Sequence, residues 1–142
     1  MRSDTHQWLV LWAARKMASD GYTIRGYDGP TPQGGIWNRL PPPPLLQDIR
    51  PDVFGARNGF LDVAYGEAKT ATDLMSAHTN RQFQVLAESV TCRGVRLYVT
   101  VPRSASCLLD KTLNRVGLLG NRAVVRLHVP DVLVSGEIRD CA

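Results

Sequence analysis

A chain of 142 residues has the length of one domain, and with 44% hydrophobic and 21% charged residues it can bury a core and is not a disordered tail. Lys plus Arg number 17 against 13 Asp plus Glu, and the resulting +4 permits an anionic partner without requiring one. No run of about eighteen apolar residues exists, which excludes a helix that spans a membrane.

The segment Met1 to Gln7 is polar and does not lead from basic residues into an apolar stretch, so it is not expected to be a signal peptide. Asp4 followed by Gln7 reads as a capped helix start, and Thr5 to Ser19 is predicted helical until Asp20-Gly21 stops it. Trp8 and Trp12 share one face of this helix and are expected to anchor the core. Tyr22 to Tyr27 alternates and is predicted to be the first strand. Residues 28–47 contain Gly29, Pro30, Pro32, Gly34, Gly35 and the run Pro41 to Pro44, a composition expected to exclude helix and central strand. A loop of that length is either a surface excursion or a functional element. Within it, Trp37 beside Arg39 is a candidate for stacking on a base or for pinning the loop.

Asp48 to Gly55 and Phe60 to Lys69 are predicted to be the arms of a hairpin turned at Asn58-Gly59. Along the second arm Phe60, Asp62, Ala64, Gly66 and Ala68 fall on one face, and Leu61, Val63, Tyr65, Glu67 and Lys69 on the other. A helix over residues 76–90 follows, with Phe83, Leu86, Ala87 and Val90 at helical spacing. Val95 to Val101 is a near-continuous apolar strand of the kind buried on both faces. Ser104 to Val116 is a third helix ended by Gly117, and Ala123 to Val129 a last strand, within which His128 is expected to be half-buried. The order α-β-β-β-α-β-α-β predicts an α/β fold with a mixed sheet flanked by helices. Cys92, Cys107 and Cys141 are widely spaced and lack a CxxC pair, so they are expected to be reduced thiols in a cytoplasmic protein.

The chemistry concentrates in the hairpin. Its turn would return Asp52 and Glu67 to the same end, with Lys69 on the face of Glu67. Two carboxylates there repel each other unless a cation lies between them, and hard oxygen ligands suit Mg²⁺ or Mn²⁺. Such an ion can stabilise charge on phosphate and acidify an attacking water, beside which Lys69 would serve as electrostatic stabiliser or proton-transfer partner.

Pro51-Asp52 followed by Glu67-Ala68-Lys69 resembles the signature of the PD-(D/E)xK nuclease superfamily, which includes restriction endonuclease-like enzymes and archaeal-type Holliday junction resolvases. The resemblance covers roughly residues 4–101 and implies a restriction endonuclease-like α-β-β-β-α-β core, with the last helix and strand added, in a single domain over 1–142. It implies that Asp52, Glu67 and the backbone carbonyl of Ala68 hold Mg²⁺ or Mn²⁺, that Lys69 serves the water, and that Gln82 lies beside the site, with Gln84 the second choice. The first helix offers His6 and Gln7 where many members carry a metal-site Glu. His78 and Arg81 join Trp37 and Arg39 as candidate substrate contacts. The activity implied is metal-dependent DNA endonuclease in restriction, repair, recombination or a mobile element. DNA would be the partner, and a homodimer or a larger complex would supply the second cut. The alternative is a nuclease-fold protein that binds DNA or scaffolds without cutting.

Overall fold

The computed structural model describes residues 4–29 and 32–134. Helix α1 (Asp4–Ser19) leads into β1 (Thr23–Tyr27), then β2 (Val53–Arg57), β3 (Asp62–Ala68), α2 (Ala71–Leu74), α3 (Ala77–Ser89), β4 (Val95–Pro102), α4 (Ser106–Arg115) and β5 (Val124–Val129). The five strands form one sheet in chain order. β1, β2 and β3 pair antiparallel, whereas β3–β4 and β4–β5 are parallel. The expected α/β class with a mixed sheet between helices is therefore present. The cap expected at the start of α1 abuts residues outside those described, and Cys141 lies outside them.

Each face of the sheet has its own core. Beneath α1, Leu9, Val10, Ala13, Ala14 and Met17 pack on Val53, Ala64, Ala68 and Tyr98, with Trp8 and Trp12 partly buried against them. On the other face Phe83 and Leu86 of α3 and Leu109 and Leu113 of α4 pack on Leu97, Val99 and Val101. Strand β4 thus alternates Tyr98 toward one core and its aliphatic residues toward the other, as its apolar run predicts. Each such fully buried large side chain stabilises the fold by about 1.5–3 kcal/mol. The close seat of α1 depends on small residues below it. A Cβ added at Gly66 would lie 3.1 Å from Met17 Sδ and Val53 Cβ, and one at Gly55 would lie 3.1 Å from Met17 Cε.

Three local expectations are corrected. The stretch 28–47 does contain helix: Pro32–Arg39 forms a 3₁₀ segment kinked at Gly35, whose φ of 58° only glycine adopts readily. Short i→i+3 turns need few donors, so the prolines and glycines that forbid an α-helix tolerate them. The hairpin turn spans residues 58–61, because Arg57 pairs with Asp62, and Asn58, Gly59 and Phe60 all have positive φ. The shift is two residues, so the predicted faces of β3 survive. Helix α2, which the composition did not suggest, is set by Thr70 and Asp73 in a reciprocal capping box. His128 is half-buried as expected, its Nδ1 2.6 Å from Ser106 Oγ.

Where α1 ends, Tyr98 Oη donates to Asp20 Oδ2 at 2.5 Å and Lys16 Nζ donates to Oδ1 at 3.1 Å. The Tyr98 hydroxyl and then Lys16 hold the Asp20 carboxyl below its usual range. Burial, followed by the Asp20 contact, pushes Tyr98 up to about 12. A phenol raised in the folded state stabilises it below the unfolded pKa near 10 and ceases to do so as pH climbs toward 12. Stability should therefore fall between pH 10 and 12, and Tyr98→Phe should flatten that limb relative to the parent in urea unfolding at successive pH values. At neutral pH the same variant should lose about 1.5–3 kcal/mol, the worth of a hydrogen bond to a charged group.

Gly94, which opens β4, has φ +82°, and a Cβ there would lie 2.6 Å from the Leu61 carbonyl oxygen. Gly94→Ala should accordingly cost about 1–3 kcal/mol in the same assay.

Candidate functional site

The C-terminal end of β3 is where the sheet changes from antiparallel to parallel, and there the polar residues go inside. Asp52 is 4% exposed, Glu67 1%, Lys69 6% and Gln82 8%. Asp52 immediately precedes β2, and its backbone N–H donates to Gly66 O at 3.0 Å, which carries the β2–β3 pairing one residue further. Its carboxylate Oδ2 accepts the Ala68 N–H at 2.9 Å. Asp52 is thereby fixed beside the Glu67-Ala68-Lys69 segment from its own strand end.

Glu67 lies on the β3 face that also carries Tyr65, whose ring packs into the α3–α4 core, while Ala68 packs under α1. Period-two alternation thus aims Glu67 toward the helix that supplies Gln82. Lys69 Nζ stands 3.4 Å from Glu67 Oε2 and donates to Gln82 Oε1. The backbone holds Lys69 as well, since its N–H donates to Thr100 O at 3.0 Å. Directly after it, the Thr70 capping box starts α2, and Ser76 then caps α3, its Oγ accepting the Thr79 N–H at 3.2 Å. The short α2 and the start of α3, each separately capped, therefore bring Gln82 back over Lys69. Gln84, the second choice for that position, is exposed.

On the other side of Asp52, His6 of α1 places Nε2 3.5 Å from Asp52 Oδ2. The first helix does reach this end of the sheet, with an imidazole and not a carboxylate. Gln7 is part-buried.

The remaining candidates are exposed or part-buried. His78 and Arg81 are exposed on α3, and Arg81 Nη2 is bound to Asp48 Oδ1 at 2.7 Å. That guanidinium keeps the Asp48 carboxyl below its ordinary value. Trp37 packs on Tyr27 with ring centroids 6.0 Å apart and is part-buried against the α1 core, so it pins the 3₁₀ segment down. Arg39 is exposed.

Chemically, the arrangement offers two carboxylates from adjacent strands, an ammonium between carboxylate and amide, and an imidazole at the rim. Among the described residues no three His, Cys, Asp or Glu side chains gather into a metal cage. A structural zinc site would need four such ligands. Mg²⁺ needs fewer, because it retains several waters and is commonly held by one or two carboxylates. The donor set here fits that second kind of ion. No helix among the described residues is long and apolar enough to cross a membrane. Comparison of the chain with family models, with curated protein sequences and with solved structures gives no match.

Proposed function

We propose that the protein is a metal-dependent DNA endonuclease that hydrolyses phosphodiester bonds at the Asp52–Glu67–Lys69 end of the sheet. The observation that supports this most is the burial of Lys69 against Glu67 and Gln82 at the end of a strand. Removing an ammonium and a carboxylate from water costs several kcal/mol each, and their attraction seldom returns more than that. A fold gains little stability from such a pair, whereas a reaction that develops negative charge at phosphate benefits from an ammonium fixed in place. The motif resemblance to PD-(D/E)xK nucleases points to the same chemistry.

In this reading Asp52, Glu67 and the Ala68 carbonyl hold Mg²⁺ or Mn²⁺. The bound ion would lower the pKa of the attacking water and offset charge on the phosphate. Lys69 orients that water and stabilises the developing charge, while Gln82 is a positioning residue that holds the ammonium. Asp52 is kept in its rotamer by the Ala68 N–H and His6. DNA is the partner, and cutting both strands calls for a second copy or a larger complex.

Glu67→Gln and Asp52→Asn should each abolish cleavage of linear, nicked, flapped or four-way DNA in Mg²⁺ or Mn²⁺ while the chain stays folded by circular dichroism. Cleavage at the parental rate by either variant would refute the site. Repulsion between the carboxylates alone suggests that truncating one leaves stability unharmed, but Asp52→Ala strips the buried Ala68 N–H of its acceptor. That variant should lose about 1–3 kcal/mol without metal, as read by urea unfolding.

Lys69→Met should separate chemistry from metal binding. With the neighbouring positive charge gone, Mn²⁺ affinity by titration calorimetry should hold or rise. Single-turnover cleavage should fall by about 10²-fold or more, the scale for losing one electrostatic stabiliser. Normal cleavage would remove Lys69 from the mechanism.

A further inference from the structure

At the other end of the sheet from Lys69, a cleft of about 240 Å³ opens between the start of β3, the start of β4 and the approach to β5. Arg57, Arg96 and Arg122 line it together with Tyr22 and Asp62. The three guanidinium groups come from β2, from β4 and from the turn before β5, so the topology, not local sequence, brings them together. Arg57 is immobilised: Nη1 donates to the Asp20 carbonyl at 2.8 Å, and its guanidinium lies 4.3 Å from the centroid of the Tyr22 ring. Arg96 is oriented by Tyr98, with Nη1 3.5 Å from the hydroxyl that itself binds Asp20. Arg122 is exposed and has no ion-pair partner among the described residues.

The acidic side is thinner. Asp62, the carboxylate in the lining, is already engaged by Arg57 Nε at 3.4 Å and Asn58 Nδ2 at 2.7 Å. Asp20, behind the cleft, is taken by Tyr98 and Lys16. An ordinary surface ion-pair network would balance bases with acids, whereas here three arginines meet one lining carboxylate. Arg57 also lines a second, smaller hollow, with Arg25, Asn58, Gly59 and Phe60. There Phe60, 56% exposed at a positive φ, sits 5.3 Å from the Arg25 guanidinium. Planar, preoriented arginines suit phosphate, and the exposed Phe60 ring beside Arg25, across Arg57 from the cleft, suits a nucleic acid over a free anion.

We propose that this cleft is a second nucleic-acid contact, in which Arg57, Arg96 and Arg122 bind backbone phosphate. The identity of the ligand rests on the nuclease reading above. The cleft lies on the α1 face and roughly 20 Å along β3, at about 3.3 Å per residue, from the Lys69 end, which faces α3, so the two bind different phosphates.

The test is fluorescence anisotropy of labelled single-stranded and duplex DNA in EDTA, at several salt concentrations. It uses the parent, Arg122→Ala, Arg96→Gln/Arg122→Ala, and Lys111→Ala as a control on the exposed face of α4. Removing one phosphate-binding arginine should reduce the slope of log affinity against log salt by about 0.9 for duplex and about 0.7 for single strands. Arg122→Ala should also weaken binding several-fold at low salt, with the double variant weaker again and Lys111→Ala unchanged. Because Arg122 is exposed, its variant decides the matter even if the double variant unfolds. Parental affinity and slope in Arg122→Ala, an equal loss in Lys111→Ala, or no DNA binding by the parent would each overturn the cleft. Cleavage by the parent in Mg²⁺, measured alongside, tells the two proposals apart. Arginine-dependent binding without cleavage would leave the cleft standing and sink the endonuclease, and cleavage with arginine-independent binding would do the reverse.

Discussion

Strand β3 has to satisfy two neighbours that want different things from it. Toward α1 it must be thin, and Ala64, Gly66 and Ala68 let Met17 come within van der Waals reach of the backbone. Toward α3 it must be polar at its end, because Glu67 and Lys69 project there and Gln82 comes down to meet them. Alternation along one strand meets both demands, since a period of two sorts successive residues to opposite faces. The pairing partners differ in the same way, β2 antiparallel and β4 parallel. Only an antiparallel neighbour can return Asp52 by a short turn, and only a parallel one leaves room in the connection for the helix that bears Gln82.

The cost of this design falls at one place. Charged groups at the end of β3 are withdrawn from water, and the helix caps around them hold the backbone that carries them. Thr70 with Asp73, and Ser76 with Thr79, start two helices within seven residues of Lys69. Each cap satisfies orphan donors at a helix start and is worth about 1 kcal/mol. The turns flanking the charged cluster and the two apolar cores thus carry stability that offsets the desolvation of the cluster.

Much of this was visible in the amino-acid order, and the reasons differ by element. The faces of β3 follow from side-chain period, and the double burial of β4 from its unbroken apolar run. Asp52 and Glu67 fall at one end because the turn returns the chain antiparallel, and a turn longer by two residues slides the register without changing faces. Helix α3 shows its apolar spacing, and its Ser76 cap lies just ahead. By contrast, α2 is too short to have a period, and its one signal was the Thr70-x-x-Asp73 pattern. The 3₁₀ segment has no signature at all beyond Trp37 and Leu40, which pack where no alternation points to them. The contact of His6 with Asp52 depends on how α1 is docked, a tertiary fact that no local pattern expresses. Likewise, the pairing of Arg81 with Asp48 joins segments 33 residues apart, and sequence position alone cannot distinguish a neutralised arginine from an available one.

The proline run also shapes what the sheet can meet. Pro43 is buried against β1 so closely that a Cβ on Gly26 would lie 2.7 Å from its Cα, and Tyr27 donates its N–H to Pro41 O at 3.0 Å. β1 is an edge strand, and an edge is where a foreign strand adds on. Here the seat beside the Gly26–Tyr27 end of β1 is filled by residues that have no N–H of their own to offer the next comer. The chain therefore ends its hydrogen-bonding ladder on this side with a segment that cannot propagate it. Sheet extension over the Gly26–Tyr27 end of β1 is thereby blocked by the chain's own prolines.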